Sequence, residues 1–121
     1  MEEHGEITLQ WIEDILIVKA EGPFNEEGTL AAMKKYQQCI LDSGRTSWLR
    51  LELWDNEALG TPQAMDHLPS IYTWSVQHGC VATAVVVVSS IQESIARKIA
   101  PEPLGVFREQ DQAMAWLKQY L

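Results

Sequence analysis

Three sets of residues have the types and spacing to do chemistry. The first is Asp55, Asn56, Thr61, Ser89 and Ser90, grouped around two expected helix starts at Thr61-Pro62 and Ser90-Ile91. A helix N-terminus offers unpaired backbone N–H groups and the positive end of its dipole, so this set suits a small anion. Thr61 would also tolerate a covalent phosphate there. Against an anion stand the charges of Asp55 and Glu57 and the absence of a glycine-rich phosphate loop, and ordinary capping and loop solvation account for the same residues. The second set is His67 and His78. Eleven residues turn an ideal helix by about 1100°, which returns both to one face, but their axial separation of about 16 Å rules out one shared metal unless the helix breaks at Pro69. The third set is aromatic: Trp48 and Trp54 share the polar face of one strand pattern and would form a partly exposed patch, suited to a homodimer surface or another protein contact.

Other chemistries are poorly supported. No His, Cys and carboxylate cluster has metal-ligand spacing, Cys39 has no histidine at motif distance, and Ser89-Ser90 lies outside any Gly-x-Ser-x-Gly elbow. No cofactor, metal or catalytic residue is therefore expected. Cys39 and Cys80 are too few for a disulfide scaffold and read as reduced thiols. The net charge of −8 is unevenly spread: residues 1–27 hold eight acids against one base, Lys19, and the rest is almost balanced. With no basic stripe to release counterions, nucleic acid is an unsuitable partner. No apolar run approaches the roughly 20 residues of a membrane span, and the acidic start lacks the pattern of a secretory signal, so a cytoplasmic location is expected.

The elements that must position these residues follow from periodicity. At 121 residues the chain is expected to form one domain, 1–121. Ile7, Leu9 and Trp11 alternate with polar residues over Glu6–Ile12, and Ile15–Ala20 follows the short break Glu13-Asp14, which predicts an antiparallel hairpin. Asn25 should cap a helix running to about Ser43, with Leu30, Met33, Gln37, Ile40 and Leu41 on its apolar stripe beside Tyr36 and Gly44 as its stop. Ser47–Trp54 alternates leucines with Trp48, Arg50, Glu52 and Trp54. The polar face suggests that helices cover only one side there, and Arg50 and Glu52 would pair across strands with side chains such as Lys19 or Gln10.

Beyond Thr61, Pro69 predicts a kink or two short helices meeting near Leu68, with Leu68, Ile71, Tyr72, Ser75, Val76 and Gly79 on one face. The uncharged, β-branched run Val81–Val88 reads as the central strand, covered on both faces. Ser90-Ile91-Gln92-Glu93 fits a capping box, with Ile91, Ile95 and Ile99 buried. Pro101 and Pro103 end that helix. Leu104–Arg108 reads as a last strand, and Asp111 as the cap of a last helix with Ala113, Met114, Leu117 and Leu121 inward. The order implies an α/β fold, a mixed and mostly parallel sheet with an antiparallel hairpin at its edge.

Gly22-Pro23-Phe24, Thr61-Pro62-x-Ala64, Ala84-Val85-Val86-Val87, and Phe107 with Ala113-Met114-Ala115-Trp116-Leu117 together resemble the SpoIIAA-like family of STAS-type domains. The resemblance implies that fold and a non-enzymatic regulatory or binding role, through protein contact or a small ligand. Family members that act as anti-sigma-factor antagonists are phosphorylated on the serine of an Asp-Ser-x-Gly motif. This chain has Asp55-Asn56-Glu57-Ala58-Leu59-Gly60-Thr61-Pro62 at that place, so the phosphoacceptor does not carry over. A related SEC14-like resemblance implies the alternative of a carrier for an apolar or lipid-like molecule. An enzyme is the third reading.

Overall fold

A computed structural model describes residues 2–121 of the chain. Alternating apolar and polar residues form β1 (Glu6–Ile12), which turns at Glu13, in the left-handed region with φ 53°, into β2 (Ile15–Glu21). The order continues α1 (Glu26–Ser43), β3 (Trp48–Trp54), α2 (Pro62–Met65), α3 (Leu68–Gln77), β4 (Cys80–Val86), α4 (Ser90–Ile99), β5 (Leu104–Phe107) and α5 (Gln110–Lys118). The five strands lie in the sheet in chain order, β1-β2-β3-β4-β5. β1 and β2 pair antiparallel, with Leu9 opposite Val18, and every later pair is parallel. This is the mixed α/β sheet that the sequence predicts. Among the described residues, no helix is long and apolar enough to cross a membrane.

The strand order dictates where the helices go. Each parallel step moves to the next strand in the same direction, so right-handed crossovers place α1 to α4 on one face. There Tyr36 and Ile40 of α1, Ala64 of α2, and Ile71 and Tyr72 of α3 pack on Leu16, Val18 and Trp48. Ala96 of α4 packs on Trp54, Val85 and Val87. Only α5 covers the other face, setting Ala113 and Leu117 against Ile15, Ile17, Leu49, Leu51, Ala82 and Ala84. Outer-face positions Glu6, Thr8 and Gln10 of β1 stay exposed, whereas Ile15 to Val18 of β2 are all buried.

Several local expectations hold. Asn25 caps α1 by accepting from the Gly28 N–H, Gly44 ends it at φ 67°, and Thr61 caps α2 by accepting from the Ala64 N–H. The segment around Pro69 is two short helices. Others are corrected. The valine-rich strand is the fourth, ends at Val86, and leaves Val81 and Val88 exposed; β3 is the middle strand. α1 buries Gly28, Thr29, Tyr36 and Ile40, turning Leu30 and Leu41 to solvent. The cap of α4 is Ser89, not Ser90, and its buried residues are Gln92 and Ala96. Gln92 is drawn inward because its Nε2 donates to the Asp55 carbonyl (2.7 Å) while its Oε1 accepts from the Val88 N–H (3.0 Å), and this rotation leaves Ile91 outside. α5 begins after Glu109 rather than at Asp111, and Val76 and Leu121 are exposed.

Candidate functional site

The middle strand carries a guanidinium into the core. Arg50 is 2% exposed, beneath α1 and α3. A buried charge requires partners, and they come from three elements. Nη1 donates to the hydroxyl oxygens of Tyr36 (2.7 Å, α1) and Ser75 (2.8 Å, α3), and Nη2 to Thr83 Oγ1 (3.0 Å, β4). The Ser75 hydroxyl donates to the Ile71 carbonyl at 2.7 Å, so the Tyr36 hydroxyl, 2.7 Å from Ser75 Oγ, is the donor in that pair. The guanidinium also lies 4.3 Å over the Tyr72 ring, a stacked geometry that favours arginine over lysine.

Glu52, two residues along the same face, supplies the counter-charge at 3.5 Å from Arg50 Nε. The geometry is poor, and Nε is left without a hydrogen bond. Glu52 Oε2 accepts from the Tyr72 hydroxyl at 2.7 Å, whereas Oε1 receives only a long 3.4 Å contact from Trp54 Nε1. Burial pushes the Tyr36 pKa up to about 12, against the pull of Arg50. Burial, followed by the Glu52 charge, holds Tyr72 well above its ordinary value, so Tyr72 stays a neutral donor. Burial works against the Arg50 charge, but Tyr36, Cys80 and Glu52 outweigh it and hold its pKa above the ordinary value. The expected cross-strand pairing of Arg50 and Glu52 with Lys19 or Gln10 is thereby replaced. The polar face of β3 is covered by helices, and its charges are satisfied from above the sheet.

Over this floor stands a cavity of about 110 Å³ between the sheet and α1, α2 and α3. Its walls are Ile7, Val18, Ala20, Phe24, Met33, Trp54, Ile71 and Leu68, and its polar lining includes Arg50, Glu52, Tyr36 and Tyr72. The half-buried Ala58, Leu59, Gly60 and Met65 form the rim. Two loops meet at this rim: Thr61 N–H donates to the Phe24 carbonyl (3.1 Å), and Gly22 N–H to the side-chain Oδ1 of Asp55 (3.3 Å). Glycine is needed at this contact because a Cβ on Gly22 would lie 1.6 Å from the Glu57 carbonyl oxygen, and one on Gly60 2.4 Å from that of Phe24.

Asp55, Asn56, Thr61, Ser89 and Ser90 do not line this cavity. Asp55 Oδ1 accepts from the Gly22 and Glu57 N–H groups and closes the rim. Asn56 is exposed beside it. Thr61 and Ser89 are caps, and Ser90 Oγ accepts from Arg108 at 3.4 Å. The aromatic patch expected on β3 does not reach the surface: Trp48 is 1% and Trp54 7% exposed, because α1, α3 and α4 cover that face. His67 and His78 sit at opposite ends of α3, where His67 Nε2 meets Glu26 Oε2 at 2.8 Å and His78 stacks on Trp74. Among the described residues, no group of three or more His, Cys, Asp and Glu is arranged around a metal position. The Arg50 cluster escapes sequence reading, although opposite charges two apart between tryptophans on one face of an inner strand were its visible signal.

This architecture, a hairpin-edged sheet with four helices on one face and one on the other, is a SpoIIAA-like fold. It superimposes on the crystal structure of an uncharacterised protein of the DUF3478 family with a SpoIIAA-like fold from Shewanella loihica PV-4. The TM-score is 0.67 and the identity 17%, over 97% of this chain and 96% of that one. No family model matches the sequence, and neither does any curated protein.

Proposed function

We propose that the protein is a non-catalytic binding module that takes a small, mostly apolar molecule into the cavity above Arg50 and Glu52. The observation that carries this reading is an apolar chamber ending on a fixed charge pair whose carboxylate lines the chamber. Small-molecule sites have this composition, apolar walls with a few placed polar groups. The rim joins the Gly22–Phe24 and Asp55–Thr61 loops, so occupancy would be reported at a surface that another protein can contact. The volume favours a small ligand over a lipid: about 110 Å³ is far below the roughly 300–1,000 Å³ of drug-sized sites, and closer to the about 150 Å³ cavity that takes up benzene.

Native mass spectrometry of protein purified from its own organism tests the reading, alongside Ala32→Leu. Ala32 lines the cavity from α1, where leucine is a good helix former. The expected result is an additional mass on the wild type that is lost on denaturation and absent from the folded variant. Bare wild-type protein, or equal loading of both, would overturn the proposal.

A further inference from the structure

We infer that the ligand presents a neutral hydrogen-bond donor, a hydroxyl on an apolar ring or short chain, to the Glu52 carboxylate; this deepens the cavity reading and rests on it. Four polar groups at the cavity floor compete to set ligand chemistry, and their existing bonds decide among them. Tyr36 is committed to Arg50 and Ser75. Both terminal nitrogens of Arg50 are held by hydroxyls, and its unpaired Nε is sealed from solvent. Three of its five N–H groups go to hydroxyls and the side chain is only 2% exposed, so the guanidinium offers a ligand acceptor little access. Tyr72 already donates to Glu52.

Glu52 is different. Its side chain is 13% exposed against 2% for Arg50, it lines the cavity, and Oε1 has only the long contact from Trp54. A carboxylate oxygen has two acceptor positions, so Oε1 is the charged acceptor on this floor with capacity to spare. A ligand carboxylate would meet Glu52 as a like charge. A ligand cation would face the adjacent Arg50, whose charge already balances Glu52. A neutral hydroxyl donates to Oε1 without either penalty and leaves the remaining ligand surface to Ile7, Val18, Met33 and Leu68.

The test uses three probes sharing one ring, phenol, toluene and benzoate, titrated into the full chain and followed by amide NMR shifts at Thr29, Leu59 and Leu68. Phenol should bind about tenfold more tightly than toluene, the difference made by one hydrogen bond to a charged acceptor. Benzoate should not bind. Glu52→Gln should bring phenol and toluene close together, the phenol advantage falling from about tenfold to within about twofold; if that variant does not fold, the wild-type comparison decides alone. Equal binding of phenol and toluene, or a preference for benzoate, would overturn the hydroxyl assignment while leaving the cavity as a binding site. Shifts from none of the three would overturn the cavity reading itself.

Discussion

Taking a guanidinium out of water costs several kcal/mol, and at Arg50 the cost is met by three hydroxyls, a carboxylate and a tyrosine face contributed by α1, α3, β3 and β4. Removing the charge strands its partner. Arg50→Met should destabilise the fold by about 3–5 kcal/mol, read as a lower urea midpoint at constant slope, because Glu52 is then a buried carboxylate without a counter-charge. An unchanged midpoint would show that the pair is structurally dispensable. Tyr36 adds a pH signature. Its folded pKa of about 12 lies above the ordinary 10.0, so the stability from keeping it protonated is complete below pH 10.0 and is lost as pH rises through about 12. Urea unfolding across that window should show a shallower alkaline decline in Tyr36→Phe than in the wild type. Parallel declines would contradict it.

At the scale of elements, the rotation of α4 is the instructive case. Gln92 ties the end of β3 to the end of β4 through the Asp55 carbonyl and the Val88 N–H. Gln92→Ala should cost about 1–3 kcal/mol, since it leaves partly buried groups unsatisfied; thermal unfolding checks this, and a loss below a few tenths would refute the tie. The same helix shows why part of the fold was legible and part was not. Asn25, Gly44 and Thr61 act through their own backbone neighbours, and sequence alone places them. The hairpin is equally local. Ile91 against Gln92 is decided by a carbonyl 37 positions away, which no periodicity contains. The cavity was hidden for a related reason: Arg50, Glu52, Trp48 and Trp54 were correctly grouped on one face, but a polar strand face reads as solvated until the elements covering it are known. The helix starts at Thr61-Pro62 and Ser90-Ile91 are legible in the sequence, the second with its cap one residue late because Ser89 fills that place, and their residues serve as caps and rim rather than as cavity lining.

Across the whole molecule, strands stand side by side in the order in which they are synthesised. A chain leaving the ribosome therefore always finds its next partner strand already present, and no earlier strand waits for a distant one. The hazard lies in the wait for α5. Ile15, Ile17, Leu49, Leu51, Ala82 and Ala84 face α5, so one side of the sheet stays uncovered until α5 emerges. A chain stopped after Glu109 should bind a hydrophobic dye and aggregate, whereas the full chain should do neither; equal behaviour of the two would contradict this. For a nascent chain, the docking of α5 is the step that turns an adhesive surface into an interior, and chaperone contact would be concentrated in the interval before it.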